Sequence, residues 1–327
     1  MERGFQPSLS VDTTGIVRMT YGVGDSIFYA ESNDSGRTFL KEVLVDTLRN
    51  LHLGMARGPQ ISSSANYTLI VAMNKPGDMY AYSLEHSKNT WSKKNKINDV
   101  PRVAKEGLAS VGSDQVDIFY ATWLDLRDDN KNKVYLSKSL RGGVQWEENV
   151  LVYRSPDSTV CECCQPTIAV SGENVFVMFR NWLNGSRDMY VAKSGNQSIQ
   201  FSEPVKIGEG TWKLNGCPMD GGGLTVYNTG EVMSTWRREG DVFISSMNQG
   251  ERKLGSGKQS DIASSGSNYG VTWSDEEQIY FASSAQPKPF VIGKGSFPTI
   301  EALKNKNYLI AWEGEGSIKV HVVPGLK

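Results

Sequence analysis

The chain has 327 residues, enough for two average domains or one large all-β unit, and its 35 basic and 36 acidic residues leave a formal charge of −1. Charge so balanced, with no basic block, offers no electrostatic footprint for a nucleic-acid partner. No apolar run approaches the roughly 18 residues of a membrane span, and 33 glycines with 10% aromatics describe a turn-rich, soluble chain.

Internal repetition organises the rest. A unit recurs in which a short Pro-x-apolar-Ser/Ala segment precedes an apolar strand ending in an aromatic, a strand ending in Ser, a turn and a fourth strand. The first copy reads Pro7-Ser8-Leu9-Ser10, Ile16 to Tyr21, Ile27 to Ser32 and Phe39 to Val45. The second opens at Pro59-Gln60-Ile61-Ser62, the third at Gly107-Leu108-Ala109-Ser110, and the fourth at Pro166-Thr167-Ile168-Ala169. Shorter copies open at Gly223-Leu224-Thr225, Asp261-Ile262-Ala263-Ser264 and Pro298-Thr299-Ile300-Glu301. The fifth is read over three segments, the last being Val242–Ser246, and the seventh shows no obvious fourth strand of its own.

Runs of Val, Ile, Tyr, Phe and Trp separated by turn residues mark short antiparallel strands, and no segment carries an amphipathic helical period. Four-stranded units this small cannot bury a core alone and must stack around an axis. The expectation is a single all-β domain over residues 1–327: a β-propeller of four-stranded antiparallel blades, seven in number, or six if one short unit is an insertion. Met1–Phe5 is expected to supply the last blade's missing strand and so close the ring.

The turn Ser32-Asn33-Asp34-Ser35-Gly36-Arg37-Thr38-Phe39 fits Ser-x-Asp-x-Gly-x-Thr-aromatic. Gly accepts a positive φ, Asp caps backbone amides and the aromatic seals the blade edge. Degenerate copies keep the Ser-to-aromatic spacing at Ser139 to Trp146, Ser194 to Phe201 and Ser283 to Phe290. Through these turns the whole chain resembles the sialidase-like, Asp-box (BNR) propeller superfamily. The runs Cys161-Glu162-Cys163-Cys164-Gln165-Pro166 and Gly216-Cys217-Pro218-Met219-Asp220-Gly221, with Arg187-Asp188-Met189-Tyr190, resemble more narrowly a group of exported bacterial sialidase-like proteins.

The resemblance implies an extracytoplasmic protein whose leader lies outside this sequence, although Met1-Glu2-Arg3-Gly4-Phe5 alone suits a cytosolic chain as well. It also implies a ligand face formed by the loops that enter the first strand of each unit and those joining the second and third strands. The implied ligand is a carbohydrate or another small anionic molecule, bound and in some members hydrolysed. Arg57, Arg180, Arg187 and Arg237 (or Arg238) are candidates to grip a carboxylate with their planar forks. Trp182 and Trp212, outside the strand register of Trp123, Trp236, Trp273 and Trp312, could stack a sugar ring. Asp125, Asp188 and Asp220 are the carboxylates best placed for glycoside hydrolysis. The superfamily's amino-terminal Phe-Arg-Ile-Pro motif is absent, and no late tyrosine pairs with a glutamate, so the sialidase machinery is incomplete.

The four cysteines, Cys161, Cys163, Cys164 and Cys217, admit three readings: disulfides bracing adjacent blades, a soft-metal site completed by Met219 or Met189 and suited to copper(I), or reactive thiols activated by Arg180 or Arg187. The leading reading requires no cofactor. His52, His86 and His321 show no metal spacing. A noncatalytic scaffold for a protein partner is the alternative function.

Overall fold

The computed structural model describes residues 3–157, 159–195, 200–247 and 250–325. Among these no helix forms, and the strands make seven separate antiparallel sheets. Each sheet runs in sequence order from an inner to an outer strand. The inner strands are Phe5–Val11, Gln60–Ser63, Ala109–Ser113, Thr167–Ser171, Gly223–Val226, Lys258–Ser265 and Ser296–Ala302, which open blades 1 to 7. Each packs against the inner strand of the next blade, and the seventh against the first, so the ring is closed around a central channel.

The second strand of each blade explains why these segments read as apolar runs rather than alternations. Tyr67–Met73 and Phe119–Asp125 are covered on both faces because each blade is sandwiched between two others. The buried residues therefore form seven clusters, one at each interface between neighbouring blades, and no common core. Trp123, Trp236, Trp273 and Trp312 sit in these interfaces, each no more than 5% exposed.

Two expectations about outer strands need correction. Phe5 belongs to the inner strand of blade 1, where it pairs with Gly22, and Met1 and Glu2 lie outside the described residues. Blade 7 has three strands among the described residues, the last being Ser317–Val323. Side chains close the ring instead: Leu9, Val17 and Met19 pack on Leu309, Ala311 and Ile318. The Gln6 backbone amide and Nε2 both donate to Glu313 Oε1, at 2.7 and 2.5 Å. Blade 5, by contrast, has a fourth strand, Arg252–Ser256. Its sequence, Arg-Lys-Leu-Gly-Ser, is that of a charged sheet edge and gives no apolar signal.

The turn at Ser32–Thr38 is built from its own polar groups. Asp34 Oδ1 accepts from Ser32 Oγ and Thr38 N at 2.7 and 2.9 Å, and Gly36 N donates to Ser32 Oγ at 2.9 Å. Gly36 has φ of 81°, and the Thr38 side-chain and backbone bonds hold the Asp34 carboxyl down at about 2. In the fourth unit's version of this turn, Asn196 and Ser198 lie outside the described residues.

Candidate functional site

Seven inner strands enclose a cavity of about 240 Å³ along the channel axis. Its rim is set by a shared irregularity. Just before the inner strands of blades 1, 6 and 7 settle into pairing, the register slips between Phe5 and Ser8, Lys258 and Asp261, and Ser296 and Thr299. Gln6, Gln259 and Phe297 occupy the slips with φ of 53°, 58° and 52°, an αL conformation that re-aims a side chain as a β-bulge does. Gln60 and Gln165 join them on the cavity wall from blades 2 and 4.

Three of these glutamines spend one end of the carboxamide on the neighbouring blade. Gln6 Nε2 donates to Glu313, Gln165 Nε2 to Ala109 O at 2.5 Å, and Gln259 Oε1 accepts from Phe297 N at 3.0 Å and from Ser274 Oγ at 2.8 Å. Among the described residues, Gln6 Oε1, Gln60 Oε1, Gln165 Oε1 and Gln259 Nε2 have no hydrogen-bond partner. The wall thus presents acceptors and a donor already fixed in orientation.

Below the rim the cavity is acidic. Asp261, on the inner strand of blade 6, accepts from Ile262 N at 2.9 Å, Ile300 N at 3.1 Å and Thr299 Oγ1 at 3.2 Å. Burial outweighs these bonds and raises its carboxyl to about 6. Glu301, from blade 7, is raised to about 8 by removal from water and by the nearby Asp261. No lysine or arginine lines the cavity among the described residues.

The nominated carboxylates are placed differently. Asp125 is fully buried and saturated by Trp123 Nε1 at 2.8 Å and by Arg127 N, Nε and Nη2, each at 2.9 Å. Asp188 Oδ1 accepts from Trp212 N at 2.8 Å, and Oδ2 faces Lys206 Nζ at 3.2 Å. Both serve the folding of their own loops and present no free carboxylate. Asp220 does reach the cavity wall, 3% exposed. Its Oδ2 accepts from Gln259 N at 2.7 Å while Oδ1 is buried without a partner, and burial raises its carboxyl.

The arginines also turn inward. Arg180, 1% exposed, donates to the backbone oxygens of Asp220, Arg187 and Arg237 at 3.2, 2.8 and 2.9 Å, pinning the loops of blades 4 and 5 together. Trp212 is buried between Arg180 and Arg237, at 5.4 and 5.7 Å from their guanidinium carbons. Trp182 is covered by Arg187 at 4.5 Å. Arg57 stands apart in blade 2, donating to Glu106 O at 2.6 Å. The four arginines therefore do not converge on one anion.

The cysteines do converge. A disulfide joins Cys163 to Cys217, tying the entering loops of blades 4 and 5, while Cys161 and Cys164 are buried free thiols. Arg187 Nη1 donates to Cys161 Sγ at 3.0 Å, and Asp220 N donates to Cys164 Sγ at 3.5 Å. The hydrogen bond between the two thiols, helped by Arg180 and Arg187, draws Cys161 down to about 7, and burial pushes Cys164 well up. The sulfurs of Cys161, Cys163 and Cys164 lie within 4.8 Å of one another, a spacing a soft metal could bridge once the disulfide is reduced. Met219 lies on the cavity wall with φ of 54°.

The glycines after Cys217 are explained by close approach. A Cβ on Gly221 would lie 2.2 Å from Gln165 O, and one on Gly222 would lie 2.3 Å from Thr235 O. Sequence reading missed the glutamine ring, Asp261 and Glu301. A signal existed: with the sixth copy moved one residue back, so that Ile262 stands with Leu9, Ile168 and Ile300, the repeats put Gln6, Gln165 and Gln259 at one position, and Glu301 where Ser10, Ala169 and Ala263 stand.

No protein-family model matches the chain, and no curated protein matches it. Solved structures share its architecture at low identity. An ulvan lyase, a polysaccharide lyase with a bound saccharide, superposes with a TM-score of 0.58 at 12% identity, covering 99% of this chain and 94% of its own. Virginiamycin B lyase from Staphylococcus aureus gives 0.59 at 11% identity, covering 99% and 96%. The Aleuria aurantia lectin, in complex with a fucosylated sugar, gives 0.51 at 14% identity, covering 80% and 93%. At such identities the likeness supports the overall fold and nothing finer; the seven blades are those of this chain's own sheets.

Proposed function

We propose that this propeller binds carbohydrate at the mouth of its central channel, with one sugar residue seated in the cavity of about 240 Å³. The observation that carries the reading is the ring of half-used carboxamides from Gln6, Gln60, Gln165 and Gln259. Neutral, preoriented donors and acceptors match the hydroxyls of a sugar without the desolvation cost of a buried charge. Two of the similar folds, the ulvan lyase and the fungal lectin, were solved with saccharides bound. An extracytoplasmic location, where glycans and disulfides both persist, belongs to the same reading.

The lining favours a neutral sugar over an anionic one, because no lysine or arginine lines the cavity among the described residues while it holds Asp220, Asp261 and Glu301. Binding is the leading reading and hydrolysis the second. Hydrolysis is favoured by one observation: Asp261 and Glu301, raised to about 6 and about 8, are separated in proton affinity as an acid and a base would be.

A glycan array followed by calorimetry tests the proposal. Gln60→Leu removes a carboxamide whose one hydrogen bond goes to the adjacent Pro59 O, at 3.3 Å, and should weaken binding about fivefold, the equivalent of about 1 kcal/mol. Absence of binding to every neutral and charged glycan would overturn it. Cleavage of an array sugar, abolished in Glu301→Gln, would move the protein to the second reading.

A further inference from the structure

The cysteine cluster stands on the rim of the same mouth but is chemically independent of the carboxamide ring. Its four sulfurs are graded from inside to outside: Cys161 and Cys164 are buried, Cys163 is partly covered, and Cys217 is exposed. The two inner thiols are 3.2 Å apart, and Cys161 and Cys164 lie 3.7 and 4.0 Å from Cys163 Sγ. A dithiol thus sits at van der Waals contact with a disulfide sulfur, the ground-state arrangement from which exchange proceeds. Arg187, held by Leu214 O at 3.4 Å and stacked over Trp182, places its Nη1 on Cys161 Sγ, where it favours the thiolate.

We propose that the cluster is a thiol–disulfide exchange centre in which the buried pair Cys161/Cys164 reduces the Cys163–Cys217 disulfide and so delivers two electrons to the exposed side of the mouth. The Cys161 thiolate attacks Cys163 Sγ; the Cys161–Cys163 bond forms, the Cys163–Cys217 bond breaks, and Cys217 leaves as a thiolate that takes up a proton. Cys164 then gives up its proton and attacks Cys161 Sγ, forming Cys161–Cys164 and releasing Cys163 as the second thiol. One dithiol is oxidised and one disulfide reduced, so no outside oxidant is needed. The substrate class is an external disulfide. Cys217 attacks it, Cys163 resolves the mixed disulfide, two substrate thiols depart, and the Cys163–Cys217 bond is restored. A dithiol reductant resets the inner pair.

Arg187 is a positioning residue for the first step.

The test maps which cysteines are free. Native protein is held at pH 8, quenched in acid, denatured and alkylated without reduction, and the labelled cysteines are assigned from peptide fragments. The exchanged form labels Cys163 and Cys217, and the resting form labels Cys161 and Cys164. A growing fraction of the exchanged form is expected; adding hydroxyethyl disulfide should then oxidise Cys163 and Cys217, releasing two equivalents of mercaptoethanol per exchanged protein and leaving both the Cys161–Cys164 and Cys163–Cys217 bonds with no cysteine labelled, and a dithiol should restore labelling at Cys161 and Cys164. In Cys164→Ser the reaction should stop at Cys161–Cys163 with Cys217 labelled, and Arg187→Gln should slow exchange at least tenfold. Labelling confined to Cys161 and Cys164 at all times would overturn the proposal, and so would four free cysteines with stoichiometric copper or zinc in the purified protein. The wild-type map needs no variant, so misfolding of a variant does not blunt the test.

Discussion

Glu301 offers the sharpest test of how the channel is built. Its carboxyl is lifted from the ordinary value near 4.5 to about 8 by burial first and by Asp261 second. A carboxyl whose proton is held more tightly in the folded chain than in the unfolded one costs stability as pH rises. Below about 4.5 both states are protonated and nothing is lost. Between about 4.5 and 8 the unfolded chain ionises while the folded chain stays protonated, so stability falls with each step in pH. Above 8 the full penalty is present. A shift of that size is worth at most about 5 kcal/mol, and because Glu301 is partly open to channel water, screening leaves about 1–2 kcal/mol. Glu301→Gln keeps the shape and removes the ionisation. Urea unfolding of both proteins from pH 5 to 9 should therefore show nearly equal stability at pH 5 and a variant more stable by about 1–2 kcal/mol at pH 8.5. A difference that does not change with pH would refute the account of the channel as a low-dielectric, acid-lined space.

Three further outcomes follow from the same contacts. Arg180→Met strands three backbone oxygens of blades 4 and 5 and should cost about 3–5 kcal/mol in urea unfolding; a loss below 1 kcal/mol would mean water replaces the guanidinium. Gly221→Ala drives a Cβ into the Gln165 carbonyl, 2.2 Å away, and should both destabilise the chain by about 1–3 kcal/mol and displace Gln165 from the cavity, which crystallography of the variant would show. Cys217→Ser opens a loop of 54 residues and should lower stability by up to about 4 kcal/mol relative to the oxidised protein, read from unfolding midpoints with and without reductant; equal midpoints would show that the bond does not constrain the unfolded chain.

Much of the architecture was legible because it is local. A blade is one meander of adjacent strands, so the recurrence from Pro7-Ser8-Leu9-Ser10 to Pro298-Thr299-Ile300-Glu301 fixed seven units without any long-range information. The cysteine loops at 161–166 and 217 were placed side by side by the same count, since they open consecutive blades. Where a strand's character comes from the sheet and not from its residues, the reading failed. Arg252–Ser256 is held in the sheet by backbone pairing and one buried side chain, Leu254, and closure by Gln6 and Glu313 joins residues 307 positions apart.

The site was less legible for a related reason. Arg180, Asp125 and Asp188 have the residue types of a ligand grip, and an arginine fork meets three loop carbonyls as readily as a substrate carboxylate. Which it meets depends on where Asp220, Arg187 and Arg237 bring their backbones, and only the packed blades decide that. The sequence by itself determined the repeat and the strands that wall the channel and narrowed the blades to seven or six, because strand period and turn chemistry act within a few residues; the seven separate sheets settled the count. The tertiary structure alone decided that the arginines face inward, that Gln6, Gln60, Gln165 and Gln259 form the rim, and that Cys163 pairs with Cys217 above two thiols. Those outcomes depend on distances between blades, and the shared repeat position of Gln6, Gln165 and Gln259 acquires its meaning only once the blades are packed.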